Sequence, residues 1–142
     1  MSEASDYSFG IADASFLAAG GEPGIARLVT DFYRIMDEHE EAACVRRLYP
    51  HDLSESRLRL AAFLCSWLGG PRRYAELYGS INIPQFHTRW PVGEGERDAW
   101  LNSMALAIAI QGYSDDFASY LLTQMRIPAE RIVKAGRLGL PT

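Results

Sequence analysis

A chain of 142 residues, 48% hydrophobic and 23% charged, has the balance of one soluble globular domain large enough to bury a core. Its net charge of −4 argues against general attraction to nucleic acid or anionic membrane, and no apolar run nears the roughly 18 residues that cross a bilayer. The opening MSEASDYSFG is polar and acidic, does not read as a secretory signal, and so leads us to expect a cytoplasmic protein.

Residues 1–12 read as a loose tail and 13–142 as the folded domain. ASFLAAGGEP gives a short apolar turn ended by Gly20-Gly21, and Pro23 suits the first turn of the helix that follows. In that helix Ile25, Leu28, Val29, Phe32, Tyr33 and Met36 recur at helical spacing and form one apolar stripe. DEHEEAACVRRLYP turns at its charges, makes a further short helix and stops at Tyr49-Pro50. LSESRLRLAAFLCSWLGGP predicts a helix with Ser54 as N-cap and a firm stop at Gly69-Gly70-Pro71. Leu60, Phe63 or Leu64, and Trp67 line one of its faces, while Leu58, Ala61, Cys65 and Leu68 make much of the rest apolar. Such a helix touches something on two sides.

RRYAELYG predicts a short helix and SINIPQFH an irregular stretch. From Glu94 to about Gln111 runs another helix, its acids early and Trp100, Met104, Ala107 and Ile108 on its stripe. DDFASYLLTQM adds a helix with Phe117, Tyr120, Leu121 and Met125 inward, and Pro128 is expected to start a separate one ending at Gly136. No strand alternation is present, so the fold class is all-α.

Most catalytic patterns are missing. No glycine loop of phosphate-binding form, no H-E-x-x-H and no C-x-x-C occur, and the distant Cys44 and Cys65 read as reduced thiols. His39 sits in a charge run and reads as a solvated turn; His51 follows Pro50 in a loop. No acid lies on an apolar helical face where burial would raise its pKa, so no catalytic residue is assigned. His87, between Phe86 and Trp90, is left as the one histidine placed for ligation; alone it reads more readily as a packed core residue.

Four segments in order, GGEPGIARLVTDFYRIM, LYP, LRLAAFLCSWLGGPRRY and HTRWPVGEGERDAWLNSM, resemble the group II truncated haemoglobins, the 2-on-2 helical globins, from about Phe16 to about Met125. The resemblance implies one b-type haem (iron protoporphyrin IX) clamped between two pairs of helices, with His87 as the proximal iron ligand. It implies haem-pocket places for Tyr33 (distal tyrosine), Tyr49, Leu60, Phe63, Leu64, Tyr74 near a propionate, Trp90 and Trp100. Ser56 falls where other globins can place a distal histidine.

The chemistry of these residues agrees with that picture. Ferrous haem needs a neutral imidazole nitrogen, whose second N–H must find a carbonyl or carboxylate. Oxygen bound to ferrous iron carries partial negative charge, and Tyr33 and Trp100 offer O–H and N–H donors to it. A hydrogen bond to a charged acceptor contributes roughly 1.5–3 kcal/mol, so each well-placed donor slows ligand loss by roughly 10- to 100-fold. One departure stands out. Family members carry basic residues just before the proximal histidine, but Asn82, Ile83, Pro84, Gln85 and Phe86 hold none, which moves propionate pairing to Tyr74, Arg72, Arg73 or Arg89.

The expected function is reversible binding of O2, CO and NO. Oxygen binding or storage, redox chemistry on peroxide or nitric oxide with a reductase as partner, and ligand sensing compete within it. Enzymatic turnover is left open, because peroxidase chemistry favours a distal acid–base group and none is evident. No nucleic-acid or membrane partner is expected, and a monomer and a homodimer are both compatible. The competing reading is a haem-free helical interaction module that keeps a globin fold.

Overall fold

The computed structural model describes residues 12–71 and 93–137, and these are helical throughout, with no strand among them. In chain order they form α1 (Ala14–Ala18), α2 (Gly21–Glu38), a 3₁₀ turn (Glu40–Ala42), α3 (Ala43–Arg46), α4 (Ser54–Trp67), α5 (Glu94–Ala109) and α6 (Asp115–Arg137). The long helices pack pairwise: α2 on α4, α5 on α6, with α2 also lying against α5. No helix among the described residues is long and apolar enough to cross a membrane.

The stripe expected on α2 is buried in full: Ile25, Leu28, Val29, Phe32, Tyr33 and Met36 all face inward, joined by Ile35. Two further stripes converge on it, Met104, Ala107 and Ile108 from α5 and Phe117, Leu121 and Met125 from α6. Burial of these side chains, each contributing roughly 1.5–3 kcal/mol if a large aliphatic or aromatic residue, is what makes the helices persist.

The two Gly-Gly pairs meet around Phe16. Gly20 and Gly21 take positive φ values of 95° and 66°, which side-chain-bearing residues rarely adopt, and this turns α1 into α2. A Cβ on Gly70 would run into the Phe16 ring, so the stop after α4 doubles as a seat for α1. The Phe16 N–H donates to the Leu68 carbonyl at 3.0 Å and fixes that seat.

Two expectations are corrected. Ser54 is the first helical residue of α4 and its side chain makes no cap; instead its N–H donates to Asp52 Oδ1 at 2.9 Å. As the first helical residue Ser54 has an N–H with no partner inside the helix, and the Asp52 carboxylate two residues upstream accepts it. Pro128 opens no separate helix but lies inside continuous α6. Its ring is buried, and the inward face runs on through Met125, Pro128 and Val133. Continuing that face outweighs the one helical hydrogen bond a proline removes. Other ends follow expectation: Glu96 Oε1 accepts the Gly93 N–H at 2.9 Å, and Arg97 Nη1 donates to Glu130 Oε1 at 2.6 Å, tying the first turn of α5 to α6.

Candidate functional site

Three elements deliver three polar aromatics to one place. α2 carries Phe32 and Tyr33 side by side near its centre, the corner after α3 carries Tyr49, and the first half of α5 carries Trp100. Phe32 is the shared wall. Its ring stands edge-on to Tyr33 at 4.8 Å and to Trp100 at 5.0 Å, while Tyr33 and Tyr49 meet edge-on at 5.4 Å. Edge-to-face pairs at these distances add roughly 0.5–1.5 kcal/mol each beyond burial, so the cluster is stiff as well as apolar.

The polar tips converge on one oxygen. Trp100 Nε1–H donates to the Tyr49 hydroxyl oxygen at 3.2 Å. The Tyr33 and Tyr49 hydroxyls are also hydrogen-bonded to each other, and the neighbouring Tyr49 adds to burial in raising the Tyr33 phenol. Burial, the largest cause, holds both phenols above the ordinary tyrosine pKa; Arg57 pulls weakly the other way on Tyr33. All three groups are therefore neutral donors near neutral pH. Trp100 has a single N–H, and it is already committed to Tyr49. The Tyr49 oxygen thus accepts one hydrogen bond from Trp100 and shares a second with Tyr33. The sequence-based expectation put Tyr33 and Trp100 at the front; the structure adds Tyr49 to them as a third, hydrogen-bonded member.

α4 supplies the apolar side. Ala62, Leu64 and Cys65 are buried in the core, Leu64 completely. Leu60, Ala61, Phe63 and Trp67 pack against the same core yet stay partly exposed. The helix is thus apolar on two faces, one spent on protein and one still open to an apolar partner. Trp67 Nε1 donates to Gln124 Oε1 at 3.1 Å, tying the end of this face to α6.

His87, the expected iron ligand, lies outside the described residues, as do Tyr74, Trp90, the Asn82–Phe86 stretch and Arg72, Arg73 and Arg89. His39 and His51 are exposed, and Cys44 and Cys65 form no disulfide. No cluster of metal-binding side chains occurs among the described residues. The donor set that is described fits one side of a haem: neutral O–H and N–H donors grouped together, a partly exposed apolar helix face, and no carboxylate among them.

Sequence reasoning missed two contributors. Phe32 read as ordinary core, and only the fold shows it bracing both Tyr33 and Trp100. Nothing within DEHEEAACVRRLYP singles out Arg46; its guanidinium reaches Asp37 and the carbonyls of Pro50 and His51. No local pattern announces either role, since both depend on contacts between elements.

The likeness to known proteins agrees with this geometry. A family model for bacterial-like globins matches residues 14–132. The group 2 truncated haemoglobin YjbI of Bacillus subtilis (strain 168) is 28% identical over 113 residues, covering 80% of this chain and 83% of that protein. Among solved structures, the group II 2-on-2 haemoglobin of Agrobacterium tumefaciens is 30% identical with a TM-score of 0.80, covering 83% of this chain and 92% of that one. The truncated oxygen-avid haemoglobin of Bacillus subtilis is 28% identical with a TM-score of 0.77, covering 84% and 98%. The all-helical packing, the aromatic donors between α2 and α5 and these matches together place the chain among the bacterial-like globins, as a group II truncated haemoglobin with the 2-on-2 fold.

Proposed function

We propose that this globin holds a b-type haem through His87 and binds O2 and other diatomic ligands tightly beneath the Tyr49 hydroxyl. The observation that carries the reading is the hydrogen bond from Trp100 Nε1–H to the Tyr49 oxygen, with the Tyr33 hydroxyl bonded to the same group. The haem supplies an iron that binds the ligand and leaves negative charge on it. The chain supplies everything else. Tyr49 offers its proton to that charge; Trp100 and Tyr33 polarise the O–H from behind, since a donor that also accepts is a better donor. Leu60 and Phe63 exclude water and so strengthen the bond. Tyr74, Trp90 and one of the arginines at 72, 73 and 89 complete the haem contacts in this reading, as Leu64 does from within the core.

Such an arrangement favours slow ligand release, which suits redox chemistry on reactive species, with a reductase restoring the ferrous state, better than oxygen delivery. The oxygen-avid description of the Bacillus subtilis relative supports it. Visible spectra of the ferric, dithionite-reduced and CO-bound protein beside His87→Gly test the haem. The wild type should give a five-coordinate ferrous spectrum that converts fully with CO, and the variant should lose or alter it. A protein that folds and takes up no haem would overturn the reading in favour of a haem-free interaction module.

A further inference from the structure

Arg46 spends its whole guanidinium on one corner of the chain. Nε donates to Asp37 Oδ1 at 3.0 Å, Nη1 to the Pro50 carbonyl at 3.0 Å and Nη2 to the His51 carbonyl at 3.1 Å. On the other side, the Arg46 carbonyl accepts the Tyr49 N–H at 3.0 Å. Tyr49 is therefore bracketed by one residue, through the main chain ahead of it and through the side chain behind it. The corner belongs to no helix, and Pro50 has no N–H with which to anchor it. Yet Tyr49 must place a hydroxyl, at the far end of its ring, within 3.2 Å of Trp100 Nε1. Hydrogen bonds fail beyond roughly 3.5 Å, so a small swing of the corner is enough to break that contact.

We propose that Arg46 is a positioning residue for the distal donors. Its fork grips two consecutive carbonyls and holds the Tyr49 hydroxyl at Trp100 before any ligand arrives. The inference rests on Tyr49 being the donor described above. The carbonyl grip matters more than the ion pair. Arg46 is only 20% exposed, whereas Asp37 is 61% exposed, and an exposed carboxylate contributes little through charge. A guanidinium presents several N–H groups in a fixed plane and matches two neighbouring oxygens. A lysine ammonium is a single nitrogen on a flexible stem and keeps the charge without the grip.

The test compares Arg46→Lys, Asp37→Asn and Tyr49→Phe in the full-length, haem-loaded protein. Two quantities are read: solvent exchange of the Trp100 indole N–H by NMR in the CO-bound form, assigned with Trp100→Phe, and the O2 dissociation rate. Arg46→Lys should stay folded, exchange the indole proton roughly tenfold faster and release O2 about three- to tenfold faster, because a donor is misplaced and not deleted. Asp37→Asn should change each by no more than about twofold. Should Arg46→Lys fail to fold, Arg46→Gln replaces it; its single amide donor reaches one carbonyl, and its exchange should rise likewise. Wild-type indole exchange in the folded Lys or Gln variant overturns the proposal. So does an Asp37→Asn variant that reproduces the loss, since the ion pair would then be the agent. If Tyr49→Phe leaves O2 release unchanged, the donor reading of Tyr49 falls, and indole exchange alone still decides the clamp.

Discussion

Two tyrosine-centred aromatic clusters lie among the described residues, and they end differently. At the turn between α5 and α6, Tyr113 stacks edge-on to Phe117 at 5.0 Å, and its hydroxyl donates to the Ala19 carbonyl at 3.3 Å. Between α2 and α5, Tyr49 accepts from Trp100 and is hydrogen-bonded to Tyr33, and the partners of its hydroxyl among the described residues include no backbone carbonyl. Burial raises the pKa of both phenols, Tyr113 to about 12. Raised pKa and aromatic packing therefore do not tell a structural tyrosine from a functional one. What differs is the destination of the O–H. The Tyr113 proton is used up on backbone, which closes the cluster, whereas the Tyr49–Tyr33 pair makes no such bond to backbone among the described residues and, in the proposed function, keeps a proton for the ligand.

Removing the Tyr49 hydroxyl should give the largest effect. Tyr49→Phe keeps the ring against Tyr33 and deletes the ligand's donor, so O2 dissociation should speed up by roughly 10- to 100-fold in stopped-flow measurements. Stability should fall as well, by roughly 1–3 kcal/mol, because Trp100 Nε1–H loses its acceptor. Tyr33→Phe acts one step back and should cost less, on the order of three- to tenfold, because Tyr49 keeps its own proton and loses only polarisation. A rate for Tyr33→Phe as fast as that for Tyr49→Phe would put Tyr33 in direct contact with the ligand.

At the closed cluster the expected damage is to the fold. The Ala19 carbonyl that receives Tyr113 is also where a Cβ on Gly24 would land. Gly24→Ala must push α2 away from α1, and overpacking of this kind destabilises by roughly 1–3 kcal/mol. Denaturant midpoints should fall accordingly. O2 dissociation should stay within about twofold of wild type, the inverse of Tyr49→Phe. Large kinetic effects from Gly24→Ala would mean that the two clusters share one rigid unit through α2.

How much of this was legible depended on whether one helix or several carried the signal. The stripe from Ile25 to Met36 lies on a single helix, so periodicity alone found every buried position in it except Ile35. The two-sided character of α4 was legible for the same reason. Ser54 and Pro128 misled because both are judged by local rules, and each was outweighed by a neighbour: the Asp52 carboxylate in one case, a buried face in the other. Tyr33, Tyr49 and Trp100 were picked out only by resemblance to a family, since Tyr33 and Trp100 look like core aromatics on their stripes and Tyr49 like the end of a short helix. Their joining into one network needed coordinates, because it follows from one indole N–H reaching across 51 residues of sequence. Arg46 could not be found at all without them, since its partners lie on α2 and at the corner.

The smallest expected effect separates the clusters by pH. Tyr113→Phe gives up one hydrogen bond to a neutral carbonyl, about 1 kcal/mol, and should leave O2 dissociation unchanged. Its raised pKa also has a direction. The folded state holds the Tyr113 proton up to about pH 12, against 10.0 for an ordinary phenol, because burial disfavours the phenolate more than nearby Arg27 favours it. A group whose folded pKa lies above its unfolded value adds stability that is complete below the unfolded pKa and is lost as pH climbs to the folded one. Wild type should therefore lose stability between about pH 10 and 12, and Tyr113→Phe should lose it less steeply. Parallel curves would mean that the Tyr113 hydroxyl is open to water, and the contrast between a closed and an open cluster would collapse at its closed end.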